Sequence, residues 1–277
     1  MPLVTDCSYL RWVGGKRRLV TKLAEFLPSD VRERTYHEPF VGAASLFLSV
    51  RPKKAVLSDL NEDLISSYEE VRENPALVAR YLRHHAHRNS EQYYYRIREQ
   101  YNLAGSYSAA QAARFIYLNR TCFNGIFRVN TKGQFNVPYG RLTRPLFPDT
   151  SHLQIVSEAL DAASLQIADF SSILNRAKPG EFVYFDPPYP PLNGTSYFRH
   201  YTSGRFDESD QEKLAKVVQE LAARGCLVMM SNADTELIRS LYRSFEIAEL
   251  SVNRPVTCKK EKRRVSELVI RNYSVER

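Results

Sequence analysis

Apolar positions follow two rhythms along this chain, and the change of rhythm divides it. Short runs rich in aromatic and β-branched residues predict strands: Ala55-Val56-Leu57, Leu165-Gln166-Ile167-Ala168-Asp169-Phe170, Phe182-Val183-Tyr184-Phe185, Cys226 to Met230, Phe245 to Leu250 and Val265 to Asn272. Tyr36 to Ser45 reads as strand, tight loop and the start of a helix through Leu46, Phe47 and Leu48. Helical spacing recurs at Leu19, Val20, Leu23, Phe26 and Leu27, stopping at Pro28, and again at Leu237, Ile238 and Leu241. Leu214, Val217, Val218 and Leu221 give another helix its apolar face; Ser209-Asp210-Gln211-Glu212 has the form of its capping box and Gly225 ends it.

From 62 to 160 helical periodicity takes over. Leu64, Ile65, Tyr68 and Val71 form one stripe, Pro75 opens a helix with Leu77, Val78, Tyr81 and Leu82, and Phe115, Ile116 and Leu118 mark a third. A basic, tyrosine-rich stretch, Tyr93 to Arg98, lies between them. Alternation returns only over Asn119 to Asn130; there Thr131-Lys132-Gly133-Gln134 predicts a hairpin turn, with Phe135 to Arg141 as the returning strand. The pattern therefore predicts an α/β domain over 1–61 and 161–277, interrupted at 62–160 by a helical and hairpin insertion.

Composition narrows the class. The 277 residues can bury a full core, and 43% hydrophobic with 25% charged residues is ordinary for a globular protein. No apolar run approaches the roughly 20 residues of a membrane helix. Met1 to Asp6 lacks the apolar core of a signal peptide, so cytoplasmic residence is expected. Cys7, Cys122, Cys226 and Cys258 match no metal or redox spacing and read as free thiols. His84, His85 and His87 fit a helix surface better than a metal site. A net charge of +8 points to a polyanionic partner, although solubility alone would explain it equally well. The charge is local: the hairpin carries Asn124, Arg128, Lys132, Gln134, Asn136 and Arg141, types able to read base edges and hold phosphates, or simply to solvate a hairpin. The run Lys259 to Arg264 is a solvated loop or a further phosphate contact.

Candidate chemistry gathers at the ends of predicted strands. Pro187 and Pro188 stop the strand Phe182–Phe185, because proline cannot donate to a sheet. Asp186 and Tyr189 are thereby held at a carboxyl end, where open α/β sheets bind ligands, and suit a flat, amine-bearing ring. A rigid turn with Asp186 as a cap would look the same. Glu38-Pro39-Phe40-Val41-Gly42-Ala43-Ala44 lets a ligand approach the backbone. Asp59 is placed to accept from a ribose, unless it or Asn61 is only a helix cap. Ser231-Asn232 is another polar pair at a strand end, and Pro190 to Gly204 has the length and composition of a lid. Gly14-Gly15-Lys16 predicts a tight turn with exposed amides; the Gly-x4-Gly-Lys-Ser/Thr phosphate loop is absent, which excludes nucleotide hydrolysis. Trp12 alone reads as core packing.

Taken together, Arg11 to Lys16, Glu38 to Gly42, Ser58-Asp59-Leu60-Asn61, the hairpin and Asp186-Pro187-Pro188-Tyr189 resemble the Dam-type (D12 class) DNA adenine-N6 methyltransferases, and within them the GATC-specific members of restriction–modification systems. The resemblance runs from Leu10 to Tyr273. It implies a Rossmann-like methyltransferase core that binds S-adenosyl-L-methionine, releases S-adenosyl-L-homocysteine and uses no metal, with 62–160 as the target-recognition insertion. By matching positions it places Trp12, Lys16, Pro39, Phe40, Gly42, Asp59, Leu60, Asp169, Phe170 and Asp186 at the cofactor. Arg11, Phe123, Asn124, Ile126, Arg128, Asn136, Pro138 and Arg141 would meet double-stranded DNA, with Arg128 reading a guanine and Asn124 near the extruded base. Asp186 and the Pro187 carbonyl would accept the two N6 hydrogens, Pro188 would stiffen the motif, and Tyr189 would stack on the base. Two positions depart from the family: Ala43 and Ala44 follow Gly42 where a second glycine is usual, and Arg11 stands where lysine is frequent. Cytosine-N4 methylation, a catalytically idle DNA-binding protein of the same fold, and RNA or protein substrates are the other readings. A restriction endonuclease would be a partner only at the level of the system.

Overall fold

The protein is described here by a computed structural model covering residues 8–142, 144–189, 206–255 and 262–275. The predicted lid from Pro190 to Gly204, Lys259 to Glu261 of the basic run, and Cys7 and Cys258 lie outside the described residues.

Five parallel strands form the centre of a sheet: β1 (Thr35–Glu38), β2 (Lys54–Asp59), β3 (Ala163–Ile167), β4 (Phe182–Phe185) and β5 (Leu227–Ala233). An antiparallel hairpin of β6 (Glu246–Pro255) and β7 (Lys262–Arg271) completes it, in the order β3-β2-β1-β4-β5-β7-β6. The strand order reverses between β1 and β4, so the crevice outside their carboxyl ends is the natural ligand site. This is the α/β architecture that the sequence pattern predicted, with the Rossmann-like core that the resemblance implied.

The two faces of the sheet bury different partners because side chains alternate along each strand. On β4, Val183 and Phe185 join Leu214, Val218 and Leu221 of α8 (Glu208–Ala223). Phe182 and Tyr184 face the other way, into a cluster continuous with Leu64, Ile65 and Tyr68 of α3 (Glu62–Glu73) and with Leu153, Val156 and Leu160 of α7 (Thr150–Leu160). Between α3 and α7 lie α4 (Pro75–His87), α5 (Glu91–Leu103) and α6 (Ala109–Thr121), the middle one carrying the tyrosine-rich stretch with Tyr93 and Tyr94 buried.

Four details differ from the sequence reading. The first helix is one turn, α1 (Val20–Ala24), and the chain reaches Pro28 through tighter i→i+3 bonds such as Phe26 N to Leu23 O at 3.1 Å. α8 begins two residues earlier than Ser209 would have capped it. Asp207 is the cap, since one carboxylate oxygen accepts from both Ser209 N at 2.9 Å and Asp210 N at 3.2 Å, and the Asp210 side chain accepts from Asp207 N. His85 is not a surface residue: it is buried against Tyr93 and Tyr117, bonds the Tyr93 hydroxyl at 2.8 Å, and burial pushes its pKa down to about 4.

The fourth concerns the predicted hairpin. Its arms run antiparallel and exchange backbone bonds such as Phe123 N to Pro138 O at 2.9 Å, Gly140 N to Thr121 O at 2.8 Å and Asn136 N to Arg128 O at 3.1 Å, but the bridges Cys122↔Tyr139 and Val129↔Phe135 are isolated rather than a ladder, and Phe123–Gly125 is a turn of 3-10 helix. The reason lies on α5, where Tyr94, Arg98 and Asn102 recur every fourth residue. Tyr94 and Arg98 donate to Val137 O at 2.8 and 3.1 Å, and Asn102 exchanges two bonds with the backbone of Phe135 at 3.0 and 2.8 Å. The returning arm thus divides its backbone bonds between the outgoing arm and a helix.

Candidate active site

Asp186 follows the last residue of β4, at the reversal of strand order. Its carboxylate meets a lysine from the other end of the chain. Gly14 adopts φ +82 and Gly15 N donates to Trp12 O at 3.0 Å, a tight turn that aims Lys16 inward. Lys16 Nζ donates to Gly14 O at 3.0 Å and to Asp186 Oδ1 at 2.5 Å, with the two side chains only 4% and 16% exposed. Ser231, within β5, donates to the same Oδ1 at 2.8 Å, and the Tyr184 hydroxyl lies 2.9 Å from Ser231 Oγ. Among the described residues, the hydrogen bonds to Asp186 converge on Oδ1, leaving Oδ2 for another donor. Burial raises the Asp186 pKa, while the Lys16 cation and the Lys16 and Ser231 hydrogen bonds pull it down.

The turn after Asp186 is pinned from behind. Gln211, fully buried on α8, donates to Pro188 O at 3.0 Å and accepts from Asn232 Nδ2 at 3.1 Å. Tyr189 places its ring 4.5 Å from Lys16 Nζ and donates its hydroxyl to Glu267 Oε2 of β7 at 2.9 Å. Ser231, Gln211, Asn232 and Glu267 belong to this site, yet sequence reasoning assigned them nothing. Only the Ser231-Asn232 pair gave a signal, as polar residues closing an apolar strand.

Beside this cluster stand the residues predicted to hold a cofactor. Asp59, at the end of β2, accepts from Gly42 N at 3.2 Å and Asn61 N at 3.0 Å; burial raises its pKa against those backbone bonds. Asn61 itself caps α3 by accepting from Leu64 N at 3.1 Å, so the capping role left open in sequence falls to it and Asp59 faces the loop. Gly42 has φ +43, and a Cβ there would come within 3.0 Å of Trp12 Cδ1. Tyr68 clamps the same residue by donating to Gly42 O at 2.6 Å. Phe40 stacks on Phe170 with centroids 5.4 Å apart, Pro39 is buried behind them, and Leu60 is 64% exposed beside Asp59. Asp169 is exposed and caps the 3-10 turn Phe170–Asn175, accepting from Ser171 N at 2.9 Å. Glu38, the last residue of β1, is buried with Tyr36 donating to it at 2.8 Å, and burial pushes its carboxyl up to about 8.

The residues predicted to read DNA share the surface formed by the two arms. Phe123 and Asn124 are exposed at the turn, and Phe123 N donates to Pro138 O at 2.9 Å, which sets exposed Pro138 opposite them. Arg128 Nε donates to Asn136 Oδ1 at 2.7 Å, so Asn136 orients the guanidinium rather than standing apart from it. Ile126 is half-buried, and Arg141, exposed with φ +52, pairs with Glu91 at 3.6 Å. Arg11 is tied in by Asn119, which accepts from Arg11 N at 2.8 Å and donates to Arg11 O at 2.7 Å and Gly125 O at 3.3 Å. Trp12 stacks on Phe127 at 6.2 Å, so its packing and its place at the Gly42 loop are both realised. Cys122, buried here, has its thiol pushed up to about 12 by burial, which suits packing and not nucleophilic attack.

Comparison with known proteins identifies a family. The sequence model of the D12 class N6 adenine-specific DNA methyltransferases matches residues 12–256. The Type II methyltransferase M.MjaIII of Methanocaldococcus jannaschii is 38% identical over 285 aligned residues, covering 96% of this chain and 98% of that protein. The Type II methyltransferase M1.LlaDCHI of Lactococcus lactis subsp. cremoris is 36% identical, covering 96% and 95%. A DNA adenine methylase of Vibrio cholerae is 36% identical, covering 90% of each chain.

Proposed function

The chain belongs to the D12 class of N6 adenine-specific DNA methyltransferases, and from that premise we propose that it methylates adenine within GATC in double-stranded DNA, on a base turned out of the helix. The observation that carries the catalytic part is Asp186, held on Oδ1 by Lys16 and Ser231 with its other oxygen left for an amine.

The donor set fits S-adenosyl-L-methionine. Asp59 uses only part of its acceptor capacity on two backbone amides and keeps the rest for ribose hydroxyls. Phe40 and Phe170 offer aromatic walls, and Trp12, Lys16, Pro39, Gly42, Leu60 and Asp169 complete the pocket. When bound, this cofactor supplies a methyl group on a sulfonium and leaves as S-adenosyl-L-homocysteine. Adenine N6 is a poor nucleophile because its lone pair is delocalised into the ring. Asp186 Oδ2 and the Pro187 carbonyl accept its two hydrogens, turning the lone pair out of conjugation, and the Asp186 carboxylate takes the proton that N6 loses. Lys16 favours the ionised Asp186 that this requires. Tyr189 stacks on the extruded base, and with so good a leaving group positioning supplies much of the acceleration.

The GATC assignment rests on the recognition arms. Arg128, oriented by Asn136, reads a guanine; Phe123, Asn124, Ile126 and Pro138 line the space beside the target base; Arg11 and Arg141 flank it. We assign 62–160 to recognition and 1–61 with 161–277 to catalysis. A restriction endonuclease is the system partner, in keeping with the Type II names of two relatives, and the enzyme works in the cytoplasm beside its DNA; no helix among the described residues is long and apolar enough to cross a membrane. Cytosine-N4 methylation and an idle binding protein are not favoured.

The test is transfer of labelled methyl from S-adenosylmethionine to duplexes carrying GATC or a scrambled site, followed by nucleoside analysis. N6-methyladenine in the GATC duplex alone is the expected result. Equal methylation of both would retain the chemistry and overturn the recognition assignment.

A further inference from the structure

We propose that Glu267 is a positioning residue for methyl transfer: by accepting the hydrogen bond of the Tyr189 hydroxyl it fixes the ring as a platform for the extruded adenine. The proposal rests on the stacking role given to Tyr189 above.

Tyr189 lies beyond the end of β4, its ring is half-buried, and its hydroxyl reaches Ser231 of β5 as well as Glu267. A phenol at such a place turns about two side-chain torsions. Its oxygen is the atom farthest from the backbone, so a bond there fixes the ring plane with the greatest leverage. Glu267 is well suited to supply that bond. It is 2% exposed and sits in register with Ala233 of β5 on one side and Leu250 of β6 on the other, so its backbone is clamped by two strands. Its Oε2 accepts from Tyr189 at 2.9 Å, across 78 positions of sequence.

The cost of putting a carboxylate here indicates what it is for. A buried charge is expensive unless paired and hydrogen-bonded. Glu267 also opposes the ionisation of Asp186, its neighbour of like charge, so it does not assist that carboxylate directly. The bond to the Tyr189 hydroxyl is a favourable contribution that it makes to the site. Lys16, whose ammonium lies over the same ring, offsets the Asp186 carboxylate and completes the clamp.

The test uses the full-length enzyme and the duplex that the unaltered enzyme methylates, with 2-aminopurine at the target position as a fluorescent reporter of base extrusion. Glu267→Ala and Tyr189→Phe each lower kcat by about tenfold, as expected for loss of a hydrogen bond to a charged group, with the KM for S-adenosylmethionine unchanged. Combining them costs no more than either alone, because both remove the same bond. Glu267→Gln, which keeps an acceptor at that place, recovers most of the rate. Losses that multiply in the double variant, full activity of Tyr189→Phe, or a glutamine variant as poor as alanine would each overturn the proposal. Tyr189→Phe removes a single oxygen from a half-buried ring, so the test does not depend on how Glu267→Ala folds. Tyr189→Ala separates the two levels: if it leaves the 2-aminopurine signal unchanged, the stacking role itself is wrong, whatever Glu267 does.

Discussion

Lys16 Nζ lies 2.5 Å from Asp186 Oδ1 although the two residues stand 170 positions apart. The pair joins the first turn of the described chain to the carboxyl end of the central strand, and it brings the predicted cofactor loop and the predicted catalytic motif into one site. Removing its acceptor is the most direct challenge. Asp186→Ala should lower kcat by roughly 10²- to 10⁴-fold, the range of a positioned acid–base group. Binding of S-adenosylmethionine by calorimetry should weaken far less than turnover, and near-normal turnover would refute the role.

The same pair governs the pH profile. Asp186 must be ionised to accept from N6 and take its proton, and burial raises its pKa. The acid limb of kcat/KM should therefore have its midpoint above the usual aspartate range, with activity lost as pH falls through it. The Lys16 cation pulls that midpoint down, so Lys16→Met should move it upward. A limb that stays in place in the variant would show that another group sets it.

Recognition should depend on a couple rather than on single residues. Arg128→Ala should cost about 1–3 kcal/mol of discrimination at one base pair, as for loss of a bidentate base contact. Asn136→Ala should relax the same position, because it frees the guanidinium it orients. Methylation rates on a panel of single-substitution duplexes would reveal this, and the double variant should be no less specific than Arg128→Ala alone.

The turn beside the proposed DNA surface is sterically closed. Gly125 has φ +67, and a Cβ there would approach Arg11 Cβ to 2.7 Å, backbone geometry and space that only glycine meets. Gly125→Ala should destabilise the fold by about 1–3 kcal/mol in urea denaturation, and displace Arg11 enough to weaken DNA binding.

Glu38 provides a stability test with a definite sign. Its folded-state pKa of about 8 exceeds the ordinary glutamate value, so the protonated form favours folding. That contribution is full below about pH 4.5 and is lost as pH rises through the folded value, because the unfolded chain ionises first. Glu38→Gln cannot ionise. Its melting temperature relative to the parent should climb between pH 5 and about 8 and level off above, where both states of the parent carry the charge.

How far the sequence reaches depends on whether a feature is local. Apolar periodicity placed the strands and most helices, and the Asp186-Pro187-Pro188-Tyr189 turn declared itself, because proline geometry and strand burial act over a few residues. The acidic residue at the end of β2 and the small-residue loop at Gly42 were legible for the same reason. Other features belong to the strand order. Ser231, Gln211 and Glu267 join the site because β5, α8 and β7 pack beside β4, and no residue near them in sequence marks that. His85 could not be separated from its exposed neighbours on α4 until Tyr93 and Tyr117 closed over it. The arms proposed for recognition read as a hairpin, since alternation is a local signal; Phe135 and Val137 of the returning arm pair also with α5, a long-range choice of hydrogen-bond partner. The sequence by itself thus determined which chemistry is present and at which strand ends. Only the tertiary structure decided which side chains orient it, because a buried polar group must be paired and its partner is whatever the packing of distant elements brings within reach.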